Sequence, residues 1–238
     1  MLKELKLGVE DIATQIVCRD RYNELLGVLC NIATSMEKFA TEIRNLQRDE
    51  IGEVAEAFEA KKQVGSSTMP HKRNPITCEQ ICGLSRVVRG FIIPTYENAI
   101  QWHERDLCNS SSERFILPHS IILTDWVIFK TNDVFKNIKV FPDRMKKNME
   151  ISKGLPMAES LMTTLIGKGM GRGDAHELMR KTALKAAAEN KTLKEVFVQE
   201  NKKLKLLTDK EIDPALKPEN YLGATEKLID KVTKKLER

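Results

Sequence analysis

The sequence contains no apolar run long enough to span a membrane, and its first residues lack the apolar core of a secretory signal. It also contains few cysteines: they are odd in number, and the closest two, Cys78 and Cys82, do not form a C-x-x-C turn. No histidine has ligand spacing with a cysteine, so we expect neither a disulfide framework nor a metal site, and no cofactor. These absences predict a soluble protein of a reducing cytosol that is not exported and has no membrane partner.

A strong excess of charge of one sign is missing as well. The 39 basic and 34 acidic residues give a formal net charge of +5 and are interspersed along the chain. This balance indicates no polyanion-binding face, so nucleic acid is not expected as a partner. The Lys-rich segment Lys227–Arg238 alternates with apolar residues at helical spacing, which indicates a solvated face behind an apolar stripe. A nucleic-acid arm is the alternative interpretation of this segment.

Strand signals are absent, and the apolar spacing predicts an all-α protein built on long helices. Apolar residues recur three or four positions apart from Leu25 to Leu46, which predicts a long amphipathic helix. A second long helix is predicted to begin at Pro75, to bend at Pro94 and to continue to about Trp102.

A third helix is predicted to begin at Ser110 and to run towards Val140, because Ser110 and Glu113 have the form of a capping box. Helices this long need neighbours along most of their span, so the chain should associate. We therefore expect residues 1–141 to form part of a helical bundle.

Beyond residue 141 the helical segments become shorter and glycines more frequent, which predicts a small all-α domain over residues 142–238. The run Gly167–Asp174 fits a turn in which a glycine ends one helix and Asp174 caps the next. A phosphate loop is the alternative, but the run has no G-K-[ST] ending and no strand signal precedes it.

The densest chemistry lies in a predicted flexible loop over about residues 60–74, whose core reads GSSTMPHKRNP from Gly65 to Pro75. Hydroxyls that follow a glycine offer side-chain oxygens beside accessible backbone N–H groups, and the loop adds cations and an amide. Such a loop suits a substrate with several carboxylates. A plain linker is the alternative, but a linker rarely places three hydroxyls and three basic groups so close together.

This order of residues resembles the loop G-S-S-x-M-P-x-K-x-N of the superfamily of fumarase, aspartase, argininosuccinate lyase and adenylosuccinate lyase, and every fixed position matches. The stretch WHERDLCNSSSER at 102–114 is similar to the nucleotide-contacting stretch of the adenylosuccinate lyase family. The stretch TQIVCRDRY at 14–22 is similar to the segment that this family places upstream of the loop. Two alternatives remain: a carboxymuconate cycloisomerase, whose loop is very similar, and a helical oligomerisation module without chemistry of its own.

The resemblance implies a β-elimination that cleaves a C–N bond and releases fumarate, from adenylosuccinate to give AMP and from the succinyl-carboxamide ribotide of purine biosynthesis. Such a reaction needs a base, a stabiliser of the developing charge and an acid for the leaving nitrogen. Ser66 is implied as the base, which requires that N–H groups and Lys72 favour its alkoxide and that water is excluded. Glu79 is implied to orient the histidine that acts as the general acid.

The same resemblance implies the contacts to substrate. Lys72 and Asn74 would hold the succinyl or fumarate carboxylates. The nucleotide phosphate would lie at a helix N-terminus flanked by arginines, on Arg105, Ser110 and Arg114. The remaining implied substrate contacts are Ser67, Thr68, Met69, His71, Gln15 and Arg19.

Ordinary structural roles remain open for several of these residues. Ser66 and Ser67 suit loop hydroxyls that bond their own backbone, and Lys72 suits a solvated surface cation. Glu79 suits a carboxylate stabilised by the dipole of its own helix. The cluster at 105–114 suits helix capping with surface ion pairs.

The family's chains are longer than this one, and the histidine that serves as their general acid has no counterpart among the four histidines here. The chain resembles the carboxyl-terminal half of the family. Because the family forms homotetramers whose sites combine segments of different subunits, we expect a homo-oligomer, and little or no activity from this polypeptide alone.

Overall fold

The structure is a computed structural model that describes residues 2–57, 73–103 and 105–237. The chain divides into two compact units, Met1–Arg144 and Met145–Arg238. Helices make up most of the described residues in both units, which confirms the predicted all-α class.

The first unit is built on four helices: α1 (Asp20–Leu46), α2 (Ile76–Gly90), α3 (Ile92–Glu97) and α4 (Cys108–Asn137). The predicted amphipathic character of α1 is confirmed, because its buried residues, Leu26, Ala33, Ala40 and Ile43, share one face. This face packs against α2 and α4, which also pack on each other.

The second long helix is interrupted, so the prediction of one helix from Pro75 to Trp102 is wrong. α2 ends at Gly90, Phe91 serves as the cap of both α2 and α3, and α3 ends at Glu97. Pro94 lies inside α3 and lacks an N–H, and its ring crowds the carbonyl four residues earlier, at Gly90. The break therefore lies one turn before the proline, where Phe91 keeps helical dihedral angles of −80° and −9°.

α4 begins earlier than predicted, and the capping box at Ser110 and Glu113 is wrong. Its N-cap is Leu107, which makes no side-chain cap. The start of the helix is instead held by Asp106, whose carboxylate accepts hydrogen bonds from the N–H groups of Cys108 at 2.8 Å and of Trp102 at 3.0 Å. An aspartate side chain can accept from the backbone N–H two residues ahead and so stabilise a helix start without a capping box. No spacing pattern in the sequence marks such an aspartate.

A small antiparallel sheet pairs β1 (Val54–Ala55) with β2 (Lys139–Val140), with Val54 opposite Val140 and Ala55 opposite Lys139. The expectation of no strands is wrong to this extent, because strands of two residues are too short to show alternation in sequence. Nearby, the Phe141 N–H donates to the Glu53 carbonyl at 2.9 Å, and the Arg144 guanidinium donates to the carbonyls of Ile51 and Asp49.

The second unit contains short helices around its own core. Their bounds are α5 (Pro142–Ile151, which begins in the first unit), α6 (Ala158–Gly167), α7 (Arg172–Ala188), α8 (Leu193–Leu204), α9 (Asp209–Ala215) and α10 (Thr225–Leu236), with 3₁₀ turns at Leu155–Met157 and Pro218–Tyr221. The buried core comes mainly from α6, α7, α8 and α9 and includes Leu161, Leu165, Met179, Leu193, Phe197 and Ile212.

The run Gly167–Asp174 connects two helices, as the turn interpretation predicts. α6 ends at Gly167, and Gly169 has a φ of +96°, which favours glycine. The prediction that Asp174 caps α7 is wrong, because the N-cap is Gly171 and Asp174 lies inside the first turn. Capping boxes occur instead at Thr192 with Glu195 on α8 and at Thr208 with Glu211 on α9.

No helix within the described ranges is both long and apolar enough to cross a bilayer. All five cysteines are free thiols, with Cys78 and Cys82 buried and Cys18 and Cys108 exposed.

Candidate active site

The predicted catalytic loop lies mostly in residues 58–72, outside the described residues. The site residues that fall there are Ser66, Ser67, Thr68, Met69, His71 and Lys72. Their roles stay predictions. The structure does describe the chain on both sides of this segment, and the contacts there were not anticipated from the sequence.

Two side chains, Gln47 and Glu56, bond both flanks of the segment. The Oε1 atom of Gln47 accepts from the Glu56 N–H at 2.9 Å, and its Nε2 atom donates to the Arg73 carbonyl at 3.1 Å. The carboxylate of Glu56 is buried and accepts from the N–H groups of Thr77 at 3.1 Å and Cys78 at 3.0 Å. These N–H groups belong to the first turn of α2, where the helix itself offers no acceptor.

Burial, followed by the nearby Glu56 carboxylate, raises the pKa of the Cys78 thiol far above its usual range. Cys78 therefore stays a neutral thiol at physiological pH. A nucleophile of this kind needs the thiolate form, so Cys78 has a packing role at the start of α2.

Asn74 and Glu79 both lie beyond the segment, at the start of α2. Asn74 is half-buried, and its carbonyl accepts from the Ile76 N–H at 2.9 Å. The side chain of Glu79 is exposed in the first turn of α2, where a carboxylate interacts favourably with the helix dipole. Neither position tests the predicted role, so the carboxylate contact of Asn74 and the orienting role of Glu79 stay predictions.

Arg19, a predicted substrate contact, is held by Glu113. Its Nε and Nη2 atoms donate to the two carboxylate oxygens at 2.6 and 3.1 Å, and the two side chains are only 12% and 13% exposed. Its Nη1 atom donates to the Val17 carbonyl at 2.6 Å, and its guanidinium lies 5.0 Å from the centre of the Tyr22 ring. The pair joins the start of α1 to α4 across 94 positions of sequence.

Gln15 and Arg105, predicted from two separate stretches, meet in the structure. The Nη1 atom of Arg105 donates to Gln15 Oε1 at 3.4 Å, across 90 positions of sequence. The Nε atom of Arg105 is buried, as are both amide atoms of Asn109, and none of the three has a partner among the described residues. Because buried polar groups are normally paired, this end of α4 has unused hydrogen-bonding capacity.

Ser110 and Arg114 complete the cluster on the first turns of α4, with Ser110 half-buried and Arg114 exposed. Since Glu113 neutralises Arg19, the positive charge here comes mainly from Arg105 and Arg114. The N–H bonds of Cys108 and Trp102 lower the pKa of the Asp106 carboxyl, so it is ionised and partly offsets Arg105. The arrangement suits an anion at the N-terminus of a long helix.

Sequence reasoning missed Gln47, Glu56 and Glu113 as members of these clusters. Each acts through a partner on another element, so no local spacing marks it. The one available signal was position, because Glu56 lies two residues before the segment and Glu113 lies within the stretch that resembles a nucleotide-contacting motif.

Comparison with known proteins identifies two family models along the chain. Residues 1–90 match the model described as "Lyase", and residues 154–232 match the model described as "Adenylosuccinate lyase C-terminus". The adenylosuccinate lyase of Methanothermobacter thermautotrophicus is 47% identical over 221 residues, which are 93% of this chain and 49% of the relative. That of Pyrococcus abyssi is 47% identical over 237 residues, which are 100% of this chain and 52% of the relative.

Among solved structures, the β-carboxy-cis,cis-muconate cycloisomerase of Acinetobacter calcoaceticus superposes with a TM-score of 0.85 at 31% identity. The match covers 98% of this chain and 50% of that one. The chain therefore spans about half the length of the relatives that it matches.

Proposed function

Because the chain belongs to the adenylosuccinate lyase family, we propose that it supplies the carboxyl-terminal half of an enzyme that eliminates fumarate from adenylosuccinate and from the succinyl-carboxamide ribotide. The first reaction would yield AMP. The observation that carries the proposal is the contact of Arg105 with Gln15, because it joins the stretch similar to a nucleotide-contacting motif to another residue implied to contact the substrate.

In the proposed reaction Ser66, as an alkoxide, takes a proton from the succinyl carbon next to a carboxylate. The C–N bond then breaks, and the leaving nitrogen receives a proton from a general acid that this chain does not provide. Lys72 and Asn74 stabilise the carboxylates on which charge develops. The unpaired Arg105 Nε and the positions of Ser110 and Arg114 support the phosphate role of this cluster.

The exposed apolar residues of α4 support the proposal of a homo-oligomer. Phe115, Ile122 and Phe129 repeat every seven residues and are 57%, 64% and 63% exposed. A repeat of this kind places the side chains on one stripe, which a helix from a second copy can cover. We also propose that the enzyme is a tetramer and that it is cytoplasmic, and both proposals rest on family membership alone.

The association is testable by sedimentation equilibrium. Ile122→Glu and Phe129→Glu are expected to lower the oligomeric state, because a charge would be buried in the interface. Leu184→Glu, at an apolar residue of α7 that is 58% exposed and has Arg180, Lys181 and Lys185 beside it in the sequence, is the matched control and should leave the oligomeric state unchanged.

The cycloisomerase alternative is less well supported, because that relative is 31% identical where the adenylosuccinate lyases reach 47%. A substrate without phosphate also has no need of the arginines around α4. A helical module without chemistry would not need the order Ser66, Lys72 and Asn74.

A chimera tests the activity directly. In it, this chain replaces the matching half of the Methanothermobacter relative. The chimera should release fumarate from adenylosuccinate, and the chain alone should not. The release is measured as a change in ultraviolet absorbance.

Ser66→Ala in the chimera should reduce kcat by about a thousandfold or more, because the reaction loses its base. Arg114→Ala should raise KM for the nucleotide. Normal turnover in Ser66→Ala would overturn the mechanism.

A further inference from the structure

We propose that Gln47 and Glu56 are positioning residues of the elimination, which hold the two flanks of segment 58–72 together and so align Ser66 and Lys72 with the substrate. The inference rests on the proposed function. It concerns residues that neither the resemblance nor the comparisons assign to the reaction.

Gln47 bridges the two flanks with a single amide. Its oxygen accepts from the Glu56 N–H on the entering side, and its nitrogen donates to the Arg73 carbonyl on the leaving side. Since one atom must accept and the other must donate, the two bonds fix which way the amide points. Gln47 is also the C-cap of α1, with its own N–H bonded to the Ile43 carbonyl at 2.9 Å, so the bridge is fixed to a long helix.

Glu56 makes a second link between the same flanks, from its carboxylate to Thr77 and Cys78 on α2. The residue is 8% exposed, and a carboxyl group is buried at this level only when hydrogen-bond donors replace its water. The first-turn N–H groups of α2 are such donors, and the helix dipole adds to their effect. The link therefore orients the backbone of both flanks as well as closing the distance between them.

The entering flank is anchored independently of Gln47. Val54 and Ala55 pair with β2, the Glu53 N–H donates to the Leu46 carbonyl at 3.0 Å, and Arg144 bonds the carbonyls of Ile51 and Asp49. The leaving flank continues directly into α2, which packs on α1. Both ends of the segment are thus tied to one helical pair, and Gln47 and Glu56 set their spacing.

Misalignment of a base affects the chemical step more than it affects binding, because the transition state depends on geometry that the ground state tolerates. We therefore expect Gln47→Ala and Glu56→Ala in the chimera to lower kcat by about tenfold or more, with a smaller change in KM. Gln47→Glu keeps the acceptor for Glu56 but loses the donor to Arg73, so it should behave like Gln47→Ala. Glu56→Gln keeps one acceptor oxygen and should recover part of the loss.

Glu195→Ala is the matched control. Glu195 also accepts a backbone N–H at a helix start, from Thr192 at 2.8 Å, but it lies in the second unit. The Glu195→Ala substitution should lower the melting temperature of the chimera without changing its kcat at the assay temperature. If the Gln47 and Glu56 variants lose only stability, as this control does, the positioning role is wrong.

A second measurement needs no turnover. In the chain itself, hydrogen exchange at the Thr77 and Cys78 amides should be at least about tenfold faster in Glu56→Ala than in the parent, and unchanged there in Glu195→Ala. Equal exchange in Glu56→Ala and the parent would overturn the inference. Ser66→Ala separates the two proposals: if it abolishes turnover while the Gln47 and Glu56 variants keep kcat, the positioning role fails and the proposed function stands.

Discussion

At the scale of single residues, the pairing of Arg19 with Glu113 decides what the candidate nucleotide site can offer. The two groups meet through two hydrogen bonds, and both are largely removed from water. Ion pairs of this kind are costly to break from one side, because the remaining charge stays buried. Arg19 therefore acts first as a structural link between α1 and α4, and its predicted contact with substrate stays a prediction.

Glu113→Ala is expected to destabilise the chain by about 3 kcal/mol, because it leaves the Arg19 guanidinium buried without its counter-ion. Urea unfolding followed by circular dichroism measures the change. Glu177→Ala is the control, since it breaks the exposed pair with Arg180 and should have a much smaller effect. Equal effects of the two substitutions would show that Arg19 is readily solvated.

Glu211 gives the second unit a defined response to acid. Lys168, followed by the Thr208 N–H and hydroxyl, lowers the pKa of this carboxyl from 4.5 to about 2. A lowered pKa in the folded state stabilises the fold above pH 4.5, and this contribution is lost as the pH falls from 4.5 to about 2. The loss therefore falls in a window where the unfolded chain binds the proton and the folded chain does not.

Glu211→Gln should consequently lower the melting temperature at neutral pH, and the difference from the parent should shrink through that window and vanish near its lower end. Thermal unfolding at a series of pH values measures it. Lys168→Met removes the largest cause of the lowered Glu211 pKa, so it should narrow the pH range over which the stabilising contribution of Glu211 is lost. A difference that persists unchanged at the lowest pH would contradict the assignment.

At the scale of helices and strands, the starts of the helices depend on local hydrogen bonds that the sequence only partly reveals. The Thr192 side chain accepts from the Glu195 N–H at 3.2 Å, and the Glu195 carboxylate accepts from the Thr192 N–H in return. The helix that follows buries Leu193, Val196 and Phe197. This capping box therefore fixes a helix on which the core of the second unit depends.

Thr192→Ala is expected to cost about 1 kcal/mol of stability, the usual effect of losing an N-cap. Ser110→Ala should cost much less, because Ser110 lies inside the first turn of α4 and caps nothing. The comparison, made by urea unfolding, tests the correction directly. A larger loss in Ser110→Ala would restore the capping box that the sequence predicted.

The sequence predicts the helical class and most of the helix pattern, because apolar residues spaced three or four positions apart, as from Leu25 to Leu46, indicate a helix with one buried face. It does not predict which residues of α1 are buried most deeply, since Leu26, Ala33 and Ala40 lie beside the predicted stripe. It does not predict the break at Phe91, which depends on how the Pro94 ring meets the preceding turn. Nor does it predict that Asp106, and not Ser110, bonds the backbone at the start of α4, since aspartate and serine both suit such a position.

Some residues of the candidate site could likewise be predicted from the sequence, and others could not. The residues at 102–114 were predicted through their similarity to a nucleotide-contacting motif, and the structure brings Arg105 to Gln15. Gln47 and Glu56 were not found, because their partners are backbone groups of other elements, and backbone groups leave no mark in a sequence.

At the scale of the whole molecule, the chain consists of two compact units, each with helices that bury apolar residues within the unit. In the second unit the buried residues Leu161, Leu165, Phe197 and Ile212 form one cluster drawn entirely from residues after 144. A core of this kind is a condition for independent folding.

A fragment of residues 145–238 is therefore expected to fold alone and to unfold cooperatively, as measured by circular dichroism against temperature. Phe197→Ala should destabilise it by about 3 kcal/mol or more, because Phe197 is fully buried and its removal leaves a cavity. Tyr221→Ala, at a residue that is 41% exposed, is the control. A fragment without a cooperative transition would contradict the independence of this unit.

The bridge that Gln47 and Glu56 make has a consequence for how the polypeptide tolerates being severed. The backbone on either side of 58–72 is secured by bonds to Gln47, Glu56 and β2, and α1 packs on α2 whether or not the connection between them is covalent. Cleavage of the backbone within that segment should leave two fragments that remain associated. The gene could therefore be divided there and the two fragments expressed separately.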